Sequence, residues 1–205
     1  MSPGSMPNGH GERHDRYQKA LNDIFRPADA TPGAAHQAVA RLGVRALLTT
    51  NYDPLLERLQ ETPYRQPYTW KESELALNDL ESGRPVLLKV HGTAERHDTV
   101  IMTESEYRDV RANPSYRAVL GHLLQGYTFL FIGYGMNDPL DLDLVLKWNA
   151  EAFKSAARRH YALLFNPSDT DRDRYAREYN VQVIPYADHA QLPALLEELQ
   201  RAASP

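Results

Sequence analysis

No cysteine occurs anywhere in the 205 residues. Disulfides, thiolate zinc sites and cysteine nucleophiles are therefore excluded by inventory. Long hydrophobic runs are also missing: none approaches the roughly 20 apolar residues of a membrane span, and the amino terminus lacks the charged-then-apolar pattern of a signal segment. Nor is there an excess of charge of one sign. A formal net charge of -4 and a pI near 6.1 give no global footprint for a nucleic acid or an anionic membrane. These absences predict a cytoplasmic protein with no membrane contact and no direct nucleic-acid partner. The residues present, 42% hydrophobic and 24% charged, suit one globular domain that buries about 70% of its unfolded surface.

Residues 1–11, MSPGSMPNGHG, are rich in Gly, Pro, Ser and Asn and are expected to be a disordered lead-in, with the domain running over 12–205. Tyr17, Leu21, Ile24 and Phe25 then mark one face of an amphipathic helix that stops near Pro27. A second helix is predicted from Thr31-Pro32 to Gly43, with Ala35, Ala38, Val39 and Leu42 as its core face. Beyond it, Val44 to Thr50, Val86 to Val90, Thr128 to Ile132, Tyr161 to Phe165 and Val181 to Ile184 read as buried strands. Helical patterns separate them at Pro54 to Gln60, Glu72 to Leu80, Glu104 to Ala112, Ser115 to Leu124, Pro139 to Lys154 and Thr170 to Tyr179, and Leu192 to Ala202 closes the chain. Thr103 and Glu106 form a capping box, and Asp138 before Pro139 reads as an N-cap. The stretch from Leu59 to Lys71 is the most irregular piece within the fold. Continuous apolar strands alternating with helices predict an α/β fold, doubly wound, with a mainly parallel Rossmann-like sheet covered on both faces.

Ligands of open parallel sheets sit beyond the carboxyl ends of the strands. Three predicted strands end in unusual polar groups: TTNYD from Thr49 to Asp53, HGT from His91 to Thr93, and GYGMND from Gly133 to Asp138. In a parallel sheet all three endings face one crevice. Taken singly, each has a plainer reading. Asn51 and Asp53 suit an Asx turn with Asp53 capping the next segment, and His91 suits a core histidine. The glycines suit a tight turn, and GYGMND misses the G-x-G-x-x-G dinucleotide fingerprint at its third glycine.

Other catalytic templates fail. The chain contains no G-x-S-x-G elbow, no G-x-x-x-x-G-K-[ST] phosphate loop and no H-E-x-x-H metal helix. His91 and His97 have only carboxylates as further candidate ligands, and no metal is assigned. The run Arg158-Arg159-His160 reads as a solvated helix end.

The ordered set LLTTNYDPLLE, LLKVHGT, TVIMTESEYRD and FLFIGYGMNDPLDLDLVL resembles the sirtuin-like domain family, in its zinc-free bacterial branch of NAD+ hydrolases acting in antiphage defence. The resemblance runs from about the Thr31 helix to about Trp148. It implies NAD+ as substrate and no zinc. It implies that Asn51 positions a ribose hydroxyl or water, that Asp53 helps hold the nicotinamide end, and that His91 is the acid/base. Imidazole, with an ordinary pKa of about 6.5, suits proton transfer near neutral pH. The same resemblance places Thr49, Thr50, Gly92, Gly133, Tyr134, Gly135 and Asp138 against the dinucleotide, the two glycines of GYG allowing close approach on its adenosine side. A homo-oligomer or a sensor or effector partner is also implied.

Two departures from the family pattern shape the expectation. The cysteine pairs of the deacylase zinc module are absent, so protein deacylation ranks below hydrolysis. The family's opening strand and G-A-G-x-S loop, which cradle the pyrophosphate and supply the central strand, have no counterpart: Gly33-Ala34-Ala35 follows no strand. The sheet is therefore expected to be incomplete at its amino-terminal side, the chain starting after that loop, and a non-catalytic nucleotide-binding or interaction domain is the alternative.

Overall fold

The computed structural model describes residues 9–60, 62–64, 66–135 and 142–203. Among the described residues, six strands and eight α-helices follow one another in mostly alternating order. Helix α1 (Gly9–Phe25) and α2 (Ala34–Arg41) precede β1 (Ala46–Thr49) and β2 (Pro67–Thr69). Then come α3 (Ser73–Glu81), β3 (Val86–Lys89), α4 (Glu104–Ala112), α5 (Pro114–Gly126) and β4 (Leu130–Ile132). The chain continues through α6 (Leu142–Phe153), β5 (His160–Phe165), α7 (Asp169–Tyr179), β6 (Val181–Tyr186) and α8 (Leu192–Ala203).

All pairings between the strands of the described residues are parallel, as buried apolar runs separated by helices require. The strands form two three-stranded sheets, in the orders β1-β3-β2 and β4-β5-β6. The central strands carry most of the burial: all four β3 residues are buried, whereas those of β1 are half-buried. Pro67 in β2 and Pro185 in β6 blunt one outer strand of each sheet, because proline cannot donate to a ladder.

Helices cover both faces of the second sheet. Leu124, Phe131, Leu146, Ala162, Tyr175 and Tyr179 form one core from α5, α6 and α7. On the other face, Ala38 of α2 and Leu196 of α8 pack against Leu163 and Tyr186. The first sheet rests on α3, α4 and α5 through Ala76, Leu88, Val90, Val110, Tyr116 and Leu120. Val145 of α6 packs against both the core around Phe131 and Tyr175 and the core around Leu88 and Tyr116, so the two sheets share a helical layer.

Several local readings change. Helix α1 begins at Gly9, inside the stretch expected as a lead-in, and residues 1–8 lie outside the described residues. Helix α2 begins at Ala34 instead of at Thr31-Pro32: His36 Nδ1 accepts from the Gly33 N–H at 3.2 Å and caps the end there. The segment Pro54 to Gln60 is a turn, not a helix, with Arg58 N–H donating to the Pro54 carbonyl at 3.1 Å. Seven residues followed closely by Pro63 cannot propagate a helix past its costly nucleus. Strand β2 emerges from the stretch read as irregular. His160, read as part of a helix end, is the first residue of β5 and only 1% exposed. The Thr103 capping box is present, with Thr103 N–H donating to Glu106 Oε2 at 2.8 Å. The expected Asp138 cap lies outside the described residues.

Candidate active site

The register aligns Thr49 of β1 and Thr69 of β2 with Lys89 of β3, so all three strands of the first sheet end at one edge. The segments that follow them emerge side by side. After β1, Thr49 Oγ1 accepts from the Asn51 N–H at 3.1 Å, and Asp53 Oδ1 accepts from the Leu55 N–H at 3.0 Å. The Asx-turn reading of Asp53 thus holds, whatever chemistry it adds. Asn51 is exposed, and Thr50 and Asp53 are half-buried.

Tyr52, between them, joins this turn to the segment after β3. Its carbonyl accepts from the Ala94 N–H at 3.1 Å. Its hydroxyl donates to the Ile101 carbonyl, and the Ile101 N–H donates to the His91 carbonyl at 3.0 Å. The Phe25 ring of α1 packs on Tyr52 with centroids 4.9 Å apart. The Asn51 turn and the His91 turn are therefore held together by backbone geometry.

His91 is 6% exposed, and its ring meets Tyr107 edge-on at 5.3 Å. Gly92 follows with φ +87°, and a Cβ there would stand 2.0 Å from the Thr99 carbonyl oxygen. Only glycine satisfies both constraints. The loop from Thr93 to Thr99 folds on itself, with Thr93 N–H donating to Thr99 Oγ1 at 3.1 Å and Trp70 Nε1–H donating to the Thr99 carbonyl at 2.7 Å. Glu72 locks the outer side of this loop. Its carboxylate accepts both Arg96 guanidinium nitrogens and, at 2.8 Å each, the Thr69 N–H and hydroxyl. The Arg96 hydrogen bonds lead in holding the Glu72 carboxyl down at about 2.

The third predicted group stands at the end of β4 in the second sheet. Gly133 has φ +65°, as a tight turn requires. Tyr134 points inward: its hydroxyl donates to Asp143 Oδ1 at 2.8 Å and its ring lies 5.9 Å from that of Phe131. The Gly135 carbonyl accepts from the Tyr175 hydroxyl at 2.7 Å. Burial pushes that hydroxyl up to about 12. Asp138 lies outside the described residues.

The structure thus assembles Thr49, Thr50, Asn51, Asp53, His91 and Gly92 at one edge and sets Gly133, Tyr134 and Gly135 at the end of the other sheet. The residues that organise the first group, Tyr52, Lys89, Glu72 and Arg96, were not singled out by sequence; a lysine inside an apolar strand was the one available signal. Among the described residues no group of three or more His, Asp or Glu side chains is arranged to hold a metal ion. None of their helices is long and apolar enough to cross a membrane. A groove of about 390 Å³, lined by Arg159, Arg172 and Val181 among others, flanks the amino end of β6, away from these turns.

Parallel sheets flanked by helices define a Rossmann-like α/β domain, with Asn-, His- and Gly-bearing turns at its strand ends. Residues 45–184 match the SIR2-like domain family, and the chain belongs to that family. It is 31% identical over 157 residues to the NAD(+) hydrolase ThsA of Bacillus cereus (strain MSX-D12), covering 75% of this chain and 32% of that protein. It is 30% identical over 169 residues to the NAD(+) hydrolase ThsA of Acinetobacter baumannii (strain 532279), covering 80% and 34%. With the NAD(+) hydrolase ThsA of Cytobacillus dafuensis the identity is 32% over 149 residues, covering 71% and 29%. The chain spans about a third of the length of these curated relatives.

Proposed function

We propose that this domain cleaves NAD+ at the bond between nicotinamide and ribose. The observation that carries the reading is the hydrogen bond from Ala94 N–H to the Tyr52 carbonyl, which holds the Asn51 turn beside the His91 turn. The names of the relatives supply the substrate. Cleavage breaks the C1′–N bond, and the bonding electrons leave with nicotinamide. An oxocarbenium-like ribose remains, the same kind of charge build-up as in glycoside hydrolysis. Water adds to C1′ and releases a proton. Asn51, exposed at the turn, orients the water or a ribose hydroxyl, and His91 takes the proton. Asp53 steadies the nicotinamide end. Gly133 and Gly135 admit the adenosine side. An antiphage setting with an oligomeric or sensor partner belongs to the same proposal.

The test is NAD+ consumption and nicotinamide release by the purified protein. Asn51→Ala is expected to lower turnover about 10²-fold or more without moving the melting temperature, because the side chain is exposed. Unchanged turnover would overturn the assignment. One observation favours a second reading, nucleotide binding without turnover: the His91 ring is buried against Tyr107. Saturable NAD+ binding with no nicotinamide released at high enzyme would select it. Protein deacylation ranks last because the chain has no cysteine for a thiolate zinc module.

A further inference from the structure

We infer that Lys89 is a positioning residue that fixes the Asn51–Glu57 turn from beneath. Lysine is among the residues least often fully buried, and burial of its ammonium is costly unless it is paired. Yet the Lys89 side chain is 0% exposed at the carboxyl end of β3, two residues before His91. Its Nζ donates to the Asp53 carbonyl at 2.5 Å and to Glu57 Oε1 at 2.7 Å. These partners lie on the segment after β1, so one ammonium ties the central strand to the turn that carries Asn51 and Asp53.

Full burial separates Lys89 from any ligand at the strand ends, so it acts through the turn. The turn has few other supports. Asp53 spends one carboxylate oxygen on the Leu55 N–H, and the segment from Pro54 to Gln60 forms no helix that would stiffen it. Above, Tyr52 binds the turn to the Ala94 loop; below, Lys89 binds it to β3. Asn51 immediately precedes both attachments in the chain. Glu57 neutralises the buried ammonium, and its side chain is 18% exposed. A buried ion pair of this kind contributes little to stability compared with apolar residues of the same volume. Its contribution here is conformational: it specifies where the turn sits.

The inference rests on the proposed cleavage for one of its readouts only. The double variant Lys89→Met with Glu57→Leu removes both charges, so folding is retained without an orphaned buried charge. Amide hydrogen exchange at Leu55 and Ala94 is expected to accelerate in it while exchange in β5 stays at the wild-type rate. In the cleavage assay kcat is expected to fall about 10²-fold, as misplacement by an ångström does, with KM for NAD+ little changed. Wild-type exchange at both amides together with wild-type kcat would reduce Lys89 to core filler. Glu57→Gln supplies the second arm: Lys89 keeps both acceptors there but loses its counter-charge, so exchange at Leu55 is read against exchange in β5, which reports any general loss of stability. The turn should lose no more protection than β5 in that variant, and exchange accelerated at Leu55 but not in β5 with Lys89 in place would overturn the assignment. If wild-type protein releases no nicotinamide, the cleavage reading fails, while the exchange measurements still decide the role of Lys89.

Discussion

The Tyr52 carbonyl oxygen accepts a hydrogen bond from the Ala94 N–H at 3.1 Å, while the Tyr52 hydroxyl reaches the Ile101 carbonyl. One residue thereby bonds to both ends of the loop that follows His91. Tyr52→Phe keeps the backbone bond and the ring contact with Phe25 and deletes the hydroxyl bond alone. The expected cost is about 1 kcal/mol, read as a fall in melting temperature of about 2–4 °C for a chain of this size. A Tyr52→Phe protein as stable as wild type would remove the hydroxyl from this account.

Gly92→Ala tests the tightest backbone approach in the site. The added methyl group would meet the Thr99 carbonyl carbon at 2.3 Å and its oxygen at 2.0 Å, and neither is the end of a flexible side chain. The positive φ adds strain to the clash. A loss of more than about 3 kcal/mol is expected, within the range that marks a backbone conflict. Gly83 provides the control: its φ is +81°, but a Cβ there meets nothing within 4 Å. Gly83→Ala should cost about 1 kcal/mol, the left-handed penalty alone. Equal denaturant midpoints for the two variants would show that the Thr99 approach carries no weight.

The sequence made the strand ends legible because parallel strands leave their polar terminations on one edge, a rule that needs no side-chain detail. That rule places Asn51, Asp53 and His91 at one edge of the first sheet. The braces between those turns were not legible, because their partners are distant in the chain: Lys89 is separated by 36 residues from Asp53 and by 32 from Glu57. Strand β2 was hidden for a different reason. Pro67-Tyr68-Thr69 is too short to show alternation and begins with a residue that argues against a strand. His160 was misread because two arginines precede it, and local charge gave no sign that the chain dives into β5 at that residue.

Glu72 sets one acid-sensitive contact. Its carboxyl titrates at about 2 in the folded protein and near 4.5 in the unfolded chain. The unfolded state therefore binds more protons between those values, and the stabilisation, complete above the unfolded value, is lost as pH falls from about 4.5 to about 2. The Glu72 side chain is 28% exposed and that of Arg96 41% exposed, so solvent screening reduces the contribution to about 1 kcal/mol. Glu72→Gln should flatten the stability profile in that window. An unfolding midpoint that varies with pH as steeply in Glu72→Gln as in wild type would sink the assignment.

His160 acts over a higher window. Burial, aided by the Arg158 charge, depresses its imidazole from an ordinary 6.5 to about 4. Geometry gives the reason for neutrality: Nδ1 accepts from the Phe129 N–H at 3.1 Å, a role open only to an unprotonated nitrogen. The rings of Phe129 and Phe131 meet the imidazole edge-on at 5.5 and 6.3 Å and offer no counter-charge. Because the folded value lies below the unfolded one, stability is complete above about 6.5 and declines as pH falls toward about 4. The decline is on the order of 3 kcal/mol for this group. His160→Asn keeps an acceptor for Phe129 but cannot titrate, so its chemical-denaturation midpoint should change less between pH 6.5 and pH 4 than that of wild type. Carboxylates titrate in the lower part of the same range in both proteins, which makes the difference between the two profiles the quantity to read. Superimposable profiles would mean that His160 is protonated in the folded state and that its contact with Phe129 does not hold it neutral.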